Sequence, residues 1–525
     1  MALCTGLEHR ASGINSLYRR LTNSLVNNPN AVIALFGVYF LIQIAVRLLL
    51  PPALRIDEAQ QVLFAQWLAL GYDAQPPLYN WYQQAIFAIF GTSMLGLAVA
   101  KNLILFLVFA TYVKLSDLVL REKSLVLVAS LAFFVSPQLF WQAQRDLTHT
   151  TMLMLTSLWA IYLSVRLLKT PTTMGYVLTG VAVGLGMLSK YNFVLILPAI
   201  LLAVWLHPKG RERIFDWRIL LTIGISLLVF LPHSIWLFDN LQFASDVTLR
   251  RMAEEAPESR WMQILTGIAH VFSGSAIVMI LPALVLFASR AKRTDTKAGE
   301  QQVSPWLRFF LRYFIALAAV LLIVIIATTM TEVRDRWLLP LVMPFPILAA
   351  LWLEQGSFDP AVFVKKVLPV CLVVMAILPV ALIVSVPVQA MLGKTSRSNN
   401  DWQVFRQHIQ EKGISPSLIV TSDWYTGGNL RFVFPDTAVA TTTYDDFDPA
   451  FALSSDHPVL FVWVTGRDQS AGMVDWLQAQ MGVTLSGISV NTFEAPMYFP
   501  VDGKMQRFSY ALITPDNVAK SQREP

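Results

Sequence analysis

The sequence predicts an α-helical polytopic membrane protein with about eleven transmembrane helices, followed by a small C-terminal α/β domain outside the membrane. Three observations predict it. Hydrophobic residues make up 55% of the 525 and charged residues only 14%, with a mean hydropathy of +0.54, too apolar for an ordinary soluble protein. The apolar residues come in runs of about 20, the length that crosses a ~30 Å hydrocarbon core at 1.5 Å per residue. After about residue 390 the long runs give way to short β-rich ones.

Residues 1–30 are polar and carry Arg10, Arg19 and Arg20. Spans are expected at about 31–50, 94–113, 124–141, 149–168, 174–189, 192–206, 218–237, 264–289, 309–329, 337–353 and 364–388. The pair around Lys190 also reads as one long interrupted helix. The first run ends in Pro51-Pro52 without a small-residue cleavage site, so it is expected to be a retained span rather than a signal peptide. Cys4 lies in the tail and Cys371 inside an apolar run, so neither a disulfide nor a zinc-type cysteine cluster is expected.

Between the first two spans, the loop 51–93 carries two amphipathic stripes. One runs Ala59, Val62, Leu63, Trp67, Leu70; the other follows Pro76-Pro77 as Leu78, Trp81, Tyr82, Ala85, Ile86, Ile89. Both helices are too short to span, so the loop is expected to lie flat on the membrane surface.

With a cytoplasmic N-terminus, the inside loops hold Arg10, Arg19 and Arg20, then Lys114, Arg121 and Lys123, Arg166 and Lys169, Lys209, Arg211, Arg213 and Arg218, Arg290, Lys292, Arg293, Lys297 and Arg308, and Lys365 and Lys366. The outside loops hold fewer basic residues, set among acids: Arg55, Arg145, Lys190, Arg250, Arg251, Arg260, Arg334 and Arg336. The positive-inside rule therefore favours an inside N-terminus, and an odd span count places Asp57 and the C-terminal part outside. The net charge of +6 is accounted for by these loops and is not a nucleic-acid signal.

The tail opens with Asn399-Asn400-Asp401 ahead of an amphipathic segment from Trp402 to Lys412, closed by Gly413. Short β-rich runs follow at Leu418–Thr421, Leu430–Phe434, Val459–Val464 and Phe508–Ile513, with a helical piece around Met473–Met481. The expected division is a membrane domain over 1–389 and an α/β domain over 390–525. No internal repeat or low-complexity tract is visible.

Ionisable residues at the mouths of spans are candidates for chemistry, because leaving them unpaired near lipid is costly. The outward set is short: Asp57 and Glu58 after the first span, Arg145 and Asp146 with His149 a turn later, Lys190 between two spans, and Glu332, Arg334, Asp335 and Arg336 before Trp337. Acids and bases from four loops on one face suit an anionic lipid headgroup, with cations for phosphate and a carboxylate to take a proton. Each has a plainer reading. Asp57 would cap a helix beginning at Glu58, with Gln60 completing a capping box. Arg145 and Asp146 would be a local ion pair, and Lys190, Arg334 and Arg336 interfacial anchors that snorkel, as would Lys101 inside the second span. A lone His149 reads as structural rather than as a metal ligand.

At these residues a resemblance becomes usable. Asp57-Glu58, the Pro-Pro-Leu-Tyr-x-Trp element at 76–81, Arg145-Asp146, Leu188-Ser189-Lys190-Tyr191, and Arg-x-Arg-Trp-Leu-Leu-Pro-x-x-x-Pro at 334–344 resemble the GT-C glycosyltransferases of the protein O-mannosyltransferase and aminoarabinose-transferase superfamily. The likeness covers about residues 30–350. The Ser-Lys-Tyr-Asn-Phe element and the Asp-Trp-Tyr-x-x-Gly-Asn-Leu run from Asp423 to Leu430 look most like bacterial transferases that add galacturonic acid to lipopolysaccharide core from a polyprenyl-phosphate donor. One departure is Gln75, where aminoarabinose transferases carry a lysine before the proline pair.

The resemblance implies an inverting transferase in a bacterial inner membrane, its site facing the periplasm, with a polyprenyl-phosphate-linked sugar as donor and lipopolysaccharide core or lipid A as acceptor. Aminoarabinose transfer, or mannose transfer to protein, stays open. Asp57 would be the general base, with Glu58 and Asp146 as further acidic residues of the catalytic set. Lys190, Arg334 and Arg336 would hold the lipid phosphate. Arg55, Gln75, Tyr79, Arg145, His149, Tyr191, Trp424 and Tyr425 would touch substrate. The sequence shows no ligand signature for a metal, and a divalent-metal requirement stays open. A transporter or flippase would predict charges near span centres in both halves and internal repeats; here charges crowd one face. A non-catalytic scaffold would make the loop charges expendable.

Overall fold

Every expected span falls on helix in the computed structural model, which describes residues 18–252, 259–290, 303–355, 358–442, 444, 447, 449–464, 475–476, 479 and 489–516. Among these residues seven helices are long and apolar enough to cross a membrane: Pro29–Leu49, Met94–Val119, Thr148–Lys169, Ile219–Asp239, Arg260–Ala288, Pro305–Thr328 and Pro360–Met391. Two helix pairs are long and apolar enough only when taken together, each bent at a short break: Lys123–Phe134 with Gln138–Arg145 at 65° and Asp335–Val342 with Phe345–Leu353 at 44°. Pro137 and Pro344 stand at the bends, where a missing N–H interrupts the helical ladder. The helices either side of Lys190, Thr173–Ser189 and Tyr191–Trp205, are shorter. The expected count of about eleven includes both bent pairs and both short helices. Cys4, Arg10, Lys292, Arg293 and Lys297, the side chains of Arg250 and Arg251, and most of the piece around Met473–Met481 lie outside the described residues.

Two compact units divide the chain. The first runs to Ile42 and takes in Ala74–Tyr79 and Lys101–Leu378. Its helices pack closely. Thr173–Ser189 lies on Ile219–Asp239, and a Cβ added at Gly180 would come within 2.7 Å of the Thr222 carbonyl oxygen. Small residues permit such approach in lipid, where association relies on packing rather than on hydrophobic expulsion. Along Ile219–Asp239 the residues Leu220, Ile223, Leu227, Leu228 and Leu231 are exposed, an apolar face suited to hydrocarbon.

The second unit comprises Gln43–Asp73, Asn80–Ala100 and the chain from Pro379 onward. Its centre is a five-stranded sheet of β1 (Leu418–Thr421), β2 (Ala438–Thr441), β3 (Val459–Val464), β4 (Val490–Ala495) and β5 (Gln506–Ile513), in the order β2-β1-β3-β5-β4. Strands β2, β1 and β3 are parallel; β5 runs antiparallel to β3 and β4. Leu430–Phe434, expected as β-rich, instead lies in or just after the helix Trp424–Val433. The Asp423 side chain accepts from the Thr426 N–H at 2.9 Å and starts that helix, which outweighs the strand preference of its last residues. Strands β2 and β4 fall on segments with no clear alternation in the sequence.

One face of the sheet packs with the helices Trp402–Glu411, Trp424–Val433 and Ile56–Phe64 in a single apolar core that holds Ala59, Val62 and Leu63 together with Ile419, Leu460 and Phe508. The first half of the outer loop's first stripe, Ala59, Val62 and Leu63, is therefore buried under the sheet rather than laid on the membrane surface, while Leu70 at its end is exposed. Gly428 makes this contact feasible: a Cβ there would sit 2.0 Å from the Ala59 carbonyl oxygen. Beside it, Asn429 Oδ1 accepts the Leu54 N–H at 2.9 Å. The helix stops at Phe64, short of the expected Leu70, because the Gln84 side-chain amide donates to the carbonyls of Phe64 and Trp67 at 3.1 and 2.7 Å and closes its C-terminal end.

Candidate functional site

In the first unit, hydrogen bonds and ring contacts join segments far apart in sequence. The helix Lys123–Phe134 ends at Phe134; the chain then forms the π-helical turn Gln138–Gln142 and the short helix Ala143–Arg145. Asp146 is extended, and Leu147 is left-handed at φ 73° before Thr148–Lys169 begins. A left-handed β-carbon-bearing residue is strained, and π-turns are frequent where side chains must be aimed. The three left-handed residues other than glycine among those described are Asp73, Leu147 and Thr329. Each lies within a few residues of a candidate segment, at 75–79, 145–149 and 332–336 respectively.

Around Asp146, Lys101 Nζ donates to the Arg145 carbonyl at 3.2 Å, although Lys101 is 5% exposed. The amine that could have snorkelled is turned onto the backbone next to the candidate acid. The Arg145 guanidinium lies 5.5 Å from the centre of the Trp141 ring, so Arg145 stacks on an aromatic face. Buried Tyr79 and His149 have ring centres 5.6 Å apart. At the next residue, Thr150 Oγ1 accepts from Lys190 Nζ at 3.3 Å. Lys190 has extended backbone (φ −170°), which breaks the helix after Ser189 and turns its side chain to the start of Thr148–Lys169.

Tyr191 Oη lies 3.1 Å from Nε2 of His233, which is fully buried and stacks on Trp236. Sequence reading missed His233, because a lone histidine within an apolar span gives no pattern. Arg334 precedes the helix Asp335–Val342, and both Arg334 and Arg336 are half-buried. Between them, Asp335 Oδ2 accepts from Gln138 Nε2 at 2.8 Å, tying this segment to the turn before Arg145. The structure thus brings Tyr79 to His149 and Lys190 to Thr150, and links the segment of Arg334 and Arg336 to that of Arg145 and Asp146. Gln75 is half-buried ahead of Tyr79. Fixed cations near a strained acidic turn can hold an anionic group while its charge grows.

The remaining candidates belong to the second unit. The helix Ile56–Phe64 begins earlier than the cap reading requires, so Asp57 lies inside its first turn and Arg55 takes the cap position. Glu58 closes the turn, accepting the Arg55 N–H at 3.0 Å, while Gln60 donates to Tyr444 Oη at 2.9 Å. Glu58 is also paired with Arg47 at the end of Pro29–Leu49, a residue that sequence reading passed over. Successive helical residues point about 100° apart, so Glu58 faces inward and Asp57 stays half-exposed. A carboxylate in the first turn is also favoured by the helix dipole. Arg55 is buried. Trp424 packs on the apolar core, and Tyr425 is buried with its hydroxyl donating to the Arg397 carbonyl at 3.1 Å. Among the described residues no three His, Cys, Asp or Glu side chains gather in a metal-holding group.

Comparison with known proteins gives three further findings. The family model for dolichyl-phosphate-mannose-protein mannosyltransferases matches residues 74–236. The lipopolysaccharide core galacturonosyltransferases RgtB and RgtA of Rhizobium johnstonii are 33% and 34% identical to the chain over 501 and 487 residues. Those alignments span 94% and 92% of this chain, and 99% and 97% of the relatives. In fold, the chain is similar to apo ArnT from Cupriavidus metallidurans, with a TM-score of 0.50 at 13% identity, covering 94% of this chain and 98% of that one.

Proposed function

The chain belongs to the GT-C glycosyltransferase family that includes the core galacturonosyltransferases RgtA and RgtB, and from that premise we propose that it transfers galacturonic acid to lipopolysaccharide core or lipid A. The observation that carries this reading is identity of about one-third along almost the whole of both relatives, tail included. The donor in this reading is a polyprenyl-phosphate sugar, used at the periplasmic face of the inner membrane.

The chemistry follows from charge. An acceptor hydroxyl oxygen attacks the anomeric carbon from the face opposite the phosphate, and the bond from that carbon to the phosphate oxygen breaks. Asp57 takes the hydroxyl proton. The donor phosphate begins as a singly charged diester and leaves as a monoester carrying close to two charges at neutral pH. Lys190, Arg334 and Arg336 supply the fixed cations that favour this gain of charge. Asp146, held by the turn at Leu147, orients a sugar hydroxyl, and Tyr79, Arg145, His149 and Tyr191 line the sugar's path. Buried Glu58 holds the loop that carries Asp57.

The test is reconstitution. The detergent-purified protein, given polyprenyl-phosphate galacturonate and lipopolysaccharide core, should yield a product heavier by one uronate residue in mass spectrometry. Glycolipid from cells lacking the gene should lose the same mass. An unaltered glycolipid profile together with no transfer in vitro would overturn the proposal.

A further inference from the structure

The second unit holds a polar cleft of about 560 Å³ where the chain leaves the helix ending at Met391. Its lining includes Arg397, Asn400, Tyr425, Lys504, Gln506 and Arg507. None has a part in the transfer proposed above, and only Tyr425 is among the substrate contacts that the resemblance implies. Three of the six are cations. Arg507 is engaged with Glu494 at 2.5 Å, and Lys504 Nζ donates to the Gly393 carbonyl at 2.8 Å. The Arg397 guanidinium lies over the Tyr425 ring at 5.4 Å, so a cation and an aromatic face are presented together.

Exposed cations alone would make only a charged surface. Gln506 makes it a site. It is the first residue of β5, in step with Phe508 and Tyr510, which point into the apolar core at 0% and 1% exposure. Gln506 itself is 6% exposed, and neither its amide nitrogen nor its amide oxygen finds a hydrogen-bond partner among the described residues. Burying an unmet amide is costly, so folded proteins seldom leave one unless something else binds it. An amide offering both a donor and an acceptor matches a sugar hydroxyl, and the cations match an anionic substituent. Met391 and Leu392 beside the cleft are apolar and 86% and 66% exposed, which suits a position at the level of lipid headgroups.

We propose that this cleft binds an anionic sugar headgroup, a carboxylate- or phosphate-bearing saccharide of a membrane glycolipid. Gln506 takes a ring hydroxyl, Arg397 and Lys504 take the anion, and Tyr425 with the Arg397 plane forms the wall against which the ring lies. The inference does not depend on which sugar the protein transfers.

Calorimetric titration of the full chain in detergent tests it, using α-1,4-linked trigalacturonate, inorganic phosphate and neutral maltotriose as probes. Trigalacturonate should bind and maltotriose should not. Arg397→Ala and Gln506→Leu should each weaken trigalacturonate at least ten-fold, whereas Lys412→Ala, which removes an exposed cation of the same unit away from the cleft, should leave it unchanged. Phosphate binding that Arg397→Ala abolishes, without trigalacturonate binding, would support the site and assign its anion to a phosphorylated sugar. Arg397 is exposed, so its variants test binding even if Gln506→Leu misfolds. The proposal is overturned if neither anion binds the unaltered protein, if maltotriose binds as well as trigalacturonate, or if Arg397→Ala binds both anions as before. A Gln506→Leu protein with higher thermal stability and intact binding would also overturn it, making the amide a structural defect.

Discussion

Arg47 reaches the Glu58 carboxylate through Nε at 3.1 Å and Nη2 at 2.7 Å, in surroundings where the two side chains are only 8% and 3% exposed. The same guanidinium donates to the carbonyls of Pro51 and Ala53. It therefore fixes the whole turn from the end of the first span to the start of the helix that carries Asp57.

Removing one partner should cost far more than removing both. Arg47→Met takes both guanidinium contacts from a buried carboxylate, a loss of about 3–5 kcal/mol, whereas a well-packed apolar pair in the same place is often neutral. Thermal unfolding of Arg47→Met, Glu58→Leu and the double variant should show two unstable proteins and one largely restored. Additive losses in the double variant would contradict the pair as the organiser of this turn.

Asp57→Asn keeps shape and helix preference but cannot take a proton. A base at Asp57 predicts normal thermal stability with transfer reduced by ~100-fold or more. Sugar transfer and unfolding temperature measured on one preparation decide it, and a fully active Asp57→Asn enzyme would remove the assignment.

Lys190→Ala, Arg334→Ala and Arg336→Ala should each weaken donor binding. A hydrogen bond to a charged group is worth ~1.5–3 kcal/mol, hence roughly ten- to a hundred-fold. Turnover at subsaturating donor is the readout. Rates like those of the unaltered protein in all three variants would make these residues membrane anchors.

Gly428→Ala sets two effects against each other. Alanine gains about 1 kcal/mol in a helix interior. The added Cβ, however, meets the Ala59 carbonyl at 2.0 Å, a backbone atom that cannot step aside, and overpacking typically costs ~1–3 kcal/mol. The clash should win, and the unfolding temperature should fall; a rise would mean that the two helices separate freely.

His408, in the helix Trp402–Glu411, stacks on Phe493 at 3.9 Å and lies 3.1 Å from the Tyr510 hydroxyl. Burial, with Lys412 nearby, holds its pKa below the ordinary 6.5, against the opposing pull of Glu411. The folded state thus binds fewer protons than the unfolded one, so its stability is full above pH 6.5 and declines as pH falls through the lowered value. Unfolding temperatures at pH 7.5 and 5.5 should differ less in His408→Gln than in the unaltered protein. Equal pH dependence in both would exclude His408 as the source.

The transmembrane architecture was legible in the sequence because it is a local property. A helix in hydrocarbon satisfies its own backbone hydrogen bonds, so each apolar run of about 20 residues declares itself without reference to a partner. The break at Lys190 was legible as a polar interruption of an apolar run, the strands β1, β3 and β5 as short runs rich in β-branched and aromatic residues, and the candidate charges because they stand out where polar side chains are costly. What only the tertiary structure decided is which groups meet. Asp57 and Glu58 are neighbours of the same chemical kind, and nothing local tells which one Arg47 will take. The stripe Ala59, Val62, Leu63 would suit a lipid surface equally well, and its burial depends on Gly428 and Asn429 some 370 residues later. His233 joins Tyr191, and Lys101 turns to the Arg145 carbonyl, through contacts that span 42 and 44 positions. Such pairings are set by packing between distant segments, and a sequence pattern reports only the periodicity of the segment that carries it.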